Sequence, residues 1–369
     1  IFSLSGLVMA GLQANQHFLL PALAPILYDM GQIFGAIFLA PTEGLKIGTI
    51  TLPALGLGID GLVYGVIIGA ALHLLIQVPG LIKFRYKWSP KIDIHDAETR
   101  KVFRMMAPRL VSMFCIQMIF LAQDNFASRL EVGSVTALTY GWWIMQVPQT
   151  LLGTSIATAI LPTLSELFSS ERFDELKDKI ERAGQVMLAL TIPVAIIAGV
   201  VLQPAIQVFL GLDPVDTTRV VDVSRIFLIG IVGHSLVELF VRSFYAIQKP
   251  KYPLMGAVST LVVFILLSLV LSPALQAKGI AAANTIAYSL QAVLLLFLLN
   301  PQLATKLKLS KSMLMGLLGA LLGGGSAFVV LNWAPRISDT LIGAVAGGIL
   351  GLLVAAVVIR KDLVILKQL

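Results

Sequence analysis

The sequence predicts an all-α, polytopic membrane protein with about eleven transmembrane helices. Of its 369 residues 57% are hydrophobic and only 13% charged, and the mean hydropathy is +0.90. Apolar runs of roughly 20 residues, each able to cross a hydrocarbon core about 30 Å thick, recur along almost the whole chain. The spans must be helices, because lipid cannot satisfy the open edges of a sheet. No length remains for a sizeable soluble domain.

The spans are placed near 1–14, 18–40, 57–82, 105–127, 134–160, 184–210, 223–246, 253–273, 279–299, 312–333 and 340–359. The first opens at Ile1 without a charged leader region or cleavage site, so it does not read as a signal peptide. An upstream segment is therefore expected. The second holds Asp29 near its middle, a charge that needs water or a partner from another helix. After the third span, residues 83–104 form a basic connector, and its segment from Pro90 to Arg104 is expected to contain a helix with Asp96 as the N-cap.

The fourth span carries Arg109, Gln117, Gln123 and Asp124. Arg109 and Asp124 lie about 22 Å apart along a helix and cannot pair. Gln117 and Asp124, seven residues apart, share a face that is expected to look toward a hydrated interior. In the fifth span, "TYGWWIMQVP" sets Trp142, Trp143 and Gln146 together without any charge. Next, "ELFSSERFDELKDKIERA" places Phe173, Leu176 and Ile180 at helical spacing among dense charges. That pattern fits a helix lying in the membrane interface or a solvated connector helix.

Glu238 and Arg242 are four apart in "SLVELFVRSFYAIQKP", the spacing of an intrahelical ion pair that lowers the cost of burying either charge. In the last two spans Gly319 and Gly323, and Gly343, Gly347 and Gly351, repeat at four-residue spacing, giving small faces that let the two helices approach closely. The run "LLGALLGGGS" lacks the Lys-Ser/Thr that a phosphate-binding loop requires.

Lys and Arg concentrate in 83–104, in 172–182, around Lys249, Lys251, Lys306, Lys308 and Lys311, and in the tail with Arg360, Lys361 and Lys367. All of these fall on one side if the spans alternate, so that side, with the C-terminus, is expected to be cytoplasmic. The opposite side keeps only Lys46, Arg129, Arg219, Lys278 and Arg336. The net charge of +7 then reflects topology and attraction to anionic lipids, not nucleic-acid binding. A single cysteine, Cys115, excludes an internal disulfide, and His17, His73, His95 and His234 lie on separate segments without metal-ligand spacing. No nucleophile triad, hydrophilic carboxylate pair or nucleotide fold is visible, so the sequence reads as a non-enzyme without metal or cofactor.

The stretch "GSVTALTYGWWIMQVPQTLLGTSIATAILPTLSEL" (133–167) resembles the signature of the bacterial lipid II flippases, the MurJ/MviN family of the MOP exporter superfamily. Its skeleton is Gly133-Ser134, Tyr140, Pro148, Gly153, Ala157-Thr158 and Leu161-Pro162. "LQANQHFLLPALAPILYDMG", "APRLVSMFCIQMIFLAQDNFAS", "RSFYAIQKPKYPLM" and "GIAAANTIAYSLQAVLLL" follow the family pattern in the same order. The resemblance implies a two-lobe, MATE-like transporter fold lacking its first three helices. It divides the chain into the remainder of an amino-terminal lobe (1–82), a cytoplasmic connector (83–104), a six-helix carboxy-terminal lobe (105–299), and two added helices with a cytoplasmic tail (300–369).

For function, the resemblance implies movement of an undecaprenyl-linked peptidoglycan precursor across the bacterial cytoplasmic membrane by alternating access, with a monovalent cation or the membrane potential as driving force. Partners would be that precursor, membrane lipids and cell-wall synthesis proteins. Substrate or cavity roles fall to Arg109, Gln117, Asp124, Trp142, Trp143 and Gln146. One departure stands out. Family members usually follow the tyrosine with Ala-Asp-Arg, where this chain has Gly141, Trp142 and Trp143. An arginine fork binds phosphate oxygens bidentately, whereas an indole offers one donor and no charge. Two other readings therefore stay open: an ion-coupled exporter of drugs or of another polyprenyl-linked glycan, and a non-transporting membrane scaffold.

Overall fold

A computed structural model describes residues 1–15, 17–44, 46–47, 50–84, 97–303, 305–333 and 341–366. The expected cap Asp96, with most of the basic connector, His95, Arg336 and Lys367, lies outside these residues. Among the described residues ten helical stretches are long and apolar enough to cross a membrane, and a shorter apolar helix, Phe2–Gln13, occupies the place of the first expected span. The chain falls into two compact units, Ile1–Asp93 and Ile94–Leu369.

In the first unit, α1 (Phe2–Ala14) and α2 (Leu19–Phe34) precede α3 (Ile59–Leu75) and the short α4 (Val78–Lys83). The connection from α2 to α3 contains a two-residue antiparallel pairing in which Lys46 faces Thr51. Buried polar groups tie α1 to α3: Ser5 Oγ lies 2.6 Å from His73 Nδ1, and Gln77 Nε2 donates to Ser5 Oγ at 2.6 Å. Asp29 is exposed within this unit.

The second unit is built around α9 (Pro214–Ala246), which packs against α6 (Ser134–Pro148), α7 (Ser155–Ser169), α8 (Phe173–Leu210) and α11 (Ala277–Leu299). Its start is set locally: Asp213 Oδ1 accepts from the backbone N–H groups of Val215 (2.8 Å) and Asp216 (2.9 Å), with Pro214 in the first turn. The core gathers large side chains from this helix, with Phe227, Phe240 and Phe244 fully buried. Outside it, α10 (Lys251–Leu275) pairs with α11 and with α5 (Ala97–Ala127). Helices α12 (Ser310–Trp333) and α13 (Leu341–Val358) pack on each other and on α8, and α14 (Arg360–Leu366) follows against α8.

The charged stretch 172–182 corrects one expectation. It is neither an interfacial helix nor a separate connector but the first turns of α8, a helix of 38 residues. At 1.5 Å per residue such a helix is about 57 Å long, so roughly half of it extends beyond the hydrocarbon core. Leu176 and Ile180 are 1% and 0% exposed, packed into the protein core and not into lipid. The loop before α12 is latched to this extension, because Gln185 Nε2 donates to the Lys308 carbonyl (2.9 Å) and the Lys308 N–H donates to Glu181 Oε2 (3.0 Å).

Between α12 and α13 the backbones nearly touch. A Cβ built on Gly323 would stand 2.6 Å from the Gly351 carbonyl oxygen, and one on Gly351 would stand 2.7 Å from that of Gly323. A Cβ on Gly347 would stand 3.2 Å from the Ala327 carbonyl oxygen, and one on Gly319 would stand 3.3 Å from the side chains of Ile359 and Pro193.

Candidate functional site: a polar cavity in the second unit

Six helices, α5, α6, α7, α9, α10 and α11, and a π-helical turn line a cavity of about 530 Å³ within the second unit. Its polar lining comes from Arg109 and Ser112 on α5, Trp142 and Gln146 on α6, and Gln149 with Thr154 in the π turn Gln149–Thr154 that links α6 to α7. Further lining comes from His234, Glu238, Arg242 and Tyr245 on α9, Thr260 on α10, and Tyr288 with Gln291 on α11. The four α9 residues recur at intervals of four, four and three, so one face of a single helix supplies them all. Pro148 immediately precedes the π turn, a local widening of the kind that clusters at functional sites.

One end of the cavity is charged. Glu238 and Arg242 form an ion pair one helical turn apart. The Arg109 guanidinium sits 5.9 Å from the centre of the Tyr245 ring, a cation–π contact at the mouth. The lining thus holds two guanidinium groups and one carboxylate, which pairs with Arg242, leaving an uncompensated positive charge among the described residues. Deeper in, the surface is aromatic and amide-rich. Trp142 meets Phe120 (5.2 Å), His234 (5.4 Å) and Phe227 (5.9 Å) edge-on, while His234 stacks on Tyr288 at 3.8 Å. His234 Nε2 donates to Asn284 Oδ1 (3.1 Å), and Thr260 Oγ1 donates to Gln291 Oε1 (2.8 Å). Such a lining can hold an anion at its mouth and stack a flat or sugar-like group further in.

Of the residues singled out in the sequence, Arg109, Trp142, Gln146, Glu238 and Arg242 meet here. Gln117, Asp124 and Trp143 do not line the cavity. Gln117 and Asp124 do share one exposed face of α5, but that face lies roughly a quarter turn from the one carrying Arg109, Ser112, Ile116 and Phe120. Trp143 points elsewhere because adjacent helical residues diverge by about 100°. It is 59% exposed and touches Tyr140 at 5.8 Å between ring centres. Residues passed over in the sequence are His234, Tyr288, Gln149, Thr260 and Gln291. The spacing of His234 from Glu238, and of Tyr288 from Gln291, could have pointed to them.

The family model of "Lipid II flippase MurJ" matches residues 1–336. The chain belongs to the MurJ family. It is 28% identical over 300 residues to the lipid II flippase MurJ of Burkholderia cenocepacia, covering 79% of this chain and 56% of that protein. To the probable lipid II flippase MurJ of Thermotoga maritima it is 28% identical over 329 residues, or 86% of this chain and 63% of that one. A solved lipid II flippase MurJ in an inward closed conformation superposes with a TM-score of 0.71 at 19% identity, covering 97% of this chain and 71% of that structure. The chain thus spans a little over half of the curated MurJ relatives it matches first. MurJ family membership accounts for the membrane-transporter architecture. Trp143 is exposed and is not among the residues that line the cavity with Arg109 and Arg242.

Proposed function

We propose that the intact protein moves lipid II, an undecaprenyl-linked peptidoglycan precursor, across the bacterial cytoplasmic membrane by rocking of its two lobes, without catalysing a chemical step. The observation that carries this reading is the cavity with its uncompensated cationic mouth, set inside apolar spans of a chain that belongs to the MurJ family. A charge inside a membrane protein is expensive unless it serves a substrate, a partner or water. A diphosphate would meet Arg109 and Arg242 at the mouth, and the sugar and peptide portions would meet Trp142, Tyr288 and the amides.

The distribution of Lys and Arg supports a cytoplasmic location for the beginning of α8, the beginning of α12 and the C-terminus. Precursor then enters from the side where Arg109 lies. A monovalent cation or the membrane potential supplies the driving force, and membrane lipids and cell-wall synthesis proteins are the partners. The test is flipping in cells depleted of their own lipid II flippase and supplied with the intact protein. Restored surface exposure of lipid II is the expected result; a well-expressed, membrane-inserted protein that leaves lipid II inside would overturn the reading.

A further inference from the structure

A second charged cavity lies apart from the one just described and shares no residue with it. About 670 Å³ in volume, it forms where the start of α12, the end of α13 and α14 meet α8. Three cations line it: Lys311, Arg360 and Lys361. Asp362 is the one carboxylate in the lining, and it is 8% exposed and already held by a hydrogen bond from Ser312 Oγ (2.7 Å). Among the described residues none of the three cations forms an ion pair. Like charges gathered in one cavity repel one another unless an anion sits among them.

The position specifies what kind of anion. Helix α12 begins at Ser310 and α13 ends at Val358, so the cations stand at the ends of two spans, the depth of lipid headgroups. Met315, Val357 and Ile365 continue the cavity wall as apolar surface, and Val357 is 69% exposed. A free anion has no use for such a wall, whereas a lipid would lay its acyl chain there with its phosphate among the cations.

We infer that this cavity binds the phosphate of an anionic membrane lipid through Lys311, Arg360 and Lys361. The inference does not rest on the proposed transport activity. The phosphate can come from a glycerophospholipid or from a polyprenyl diphosphate, and the test separates the two. Purified intact protein is titrated with phosphatidylglycerol, undecaprenyl diphosphate or phosphatidylcholine, and retained lipid is counted by native mass spectrometry. The Lys311→Gln/Arg360→Gln/Lys361→Gln variant is expected to lose about tenfold or more in affinity for an anionic lipid, with phosphatidylcholine unaffected. Loss toward phosphatidylglycerol assigns the site to bulk lipid; loss toward undecaprenyl diphosphate alone assigns it to a polyprenyl carrier.

A control variant, Lys249→Gln/Lys251→Gln/Lys306→Gln, removes equal charge outside the cavity and is expected to change affinity less than about twofold. Asp362→Asn keeps the side-chain shape while removing the opposing charge, and is expected to tighten binding. Equal losses in the cavity and control variants, unchanged binding of both anionic lipids in the cavity variant, or weaker binding by a monodisperse Asp362→Asn protein would overturn the inference.

Discussion

Gly323, Gly324 and Gly325 are consecutive on α12, yet alanine should have opposite consequences at the first and the third. A Cβ at Gly323 would come within 2.6 Å of the Gly351 carbonyl oxygen and 3.0 Å of Ile197 Cδ1, whereas a Cβ at Gly325 would meet nothing within 4 Å. An ordinary contact begins near 3.4 Å, so Gly323→Ala must separate α12 from α13 by nearly 1 Å or bend one of them. Both changes gain the same helix propensity, up to about 1 kcal/mol. Their difference is therefore the overpacking cost, about 1–3 kcal/mol. Cys115 is the chain's single cysteine and is buried, so a thiol-reactive dye reports its exposure on heating. Gly323→Ala should melt several degrees below Gly325→Ala, at about 2–4 °C per kcal/mol. Coincident melting curves would refute the close approach of the two helices through these glycines.

Three further outcomes are expected. Trp142→Ala should cost about 2–4 kcal/mol of stability, because it removes a ring packed among Phe120, Phe227 and His234; Trp143→Ala, at an exposed position, should cost less than about 1 kcal/mol in the same melting assay. Asp213→Ala strips two backbone N–H groups of their acceptor and should destabilise by about 1 kcal/mol, up to about 2, with Asp213→Asn recovering most of the loss. Cysteines introduced at Lys177 and Lys308 in a Cys115→Ala background should react from the same side of the membrane, the cytoplasmic one, and a cysteine at Asp213 from the other. Labelling of position 177 by an impermeant reagent from outside would refute that topology.

Composition alone carries the architecture, because a bilayer dictates both the length and the helical state of each span. What a single helix does not record is its neighbours. The periodicity of Phe173, Leu176 and Ile180 marks a helix, but lipid and protein interior are equally apolar, so an interfacial helix and the buried start of α8 look alike in sequence. The shared face of Gln117 and Asp124 follows from their spacing, whereas the face of α5 that meets the cavity is set by the approach of α10, and it is the one bearing Arg109. Spacing is informative within one helix: Glu238 and Arg242 are a turn apart, and their charged groups meet. His234 extends the same row by another turn. Judged only for metal-ligand spacing, it carried no signal, because its partners Asn284 and Tyr288 come from α11, some 50 residues away.

The central claim is that the cationic mouth, not Trp143, meets the phosphate of a lipid-linked precursor. It is tested most directly by the Kd of purified intact protein for lipid II, measured for the wild type, Arg109→Gln and Trp143→Phe. Loss of a charged partner is expected to cost about 1.5–3 kcal/mol, a weakening of roughly tenfold to 150-fold for Arg109→Gln. Trp143→Phe keeps an aromatic face and should weaken binding by less than about tenfold. Wild-type affinity in Arg109→Gln, together with higher affinity in Trp143→Arg, would contradict the account and place phosphate recognition at residue 143.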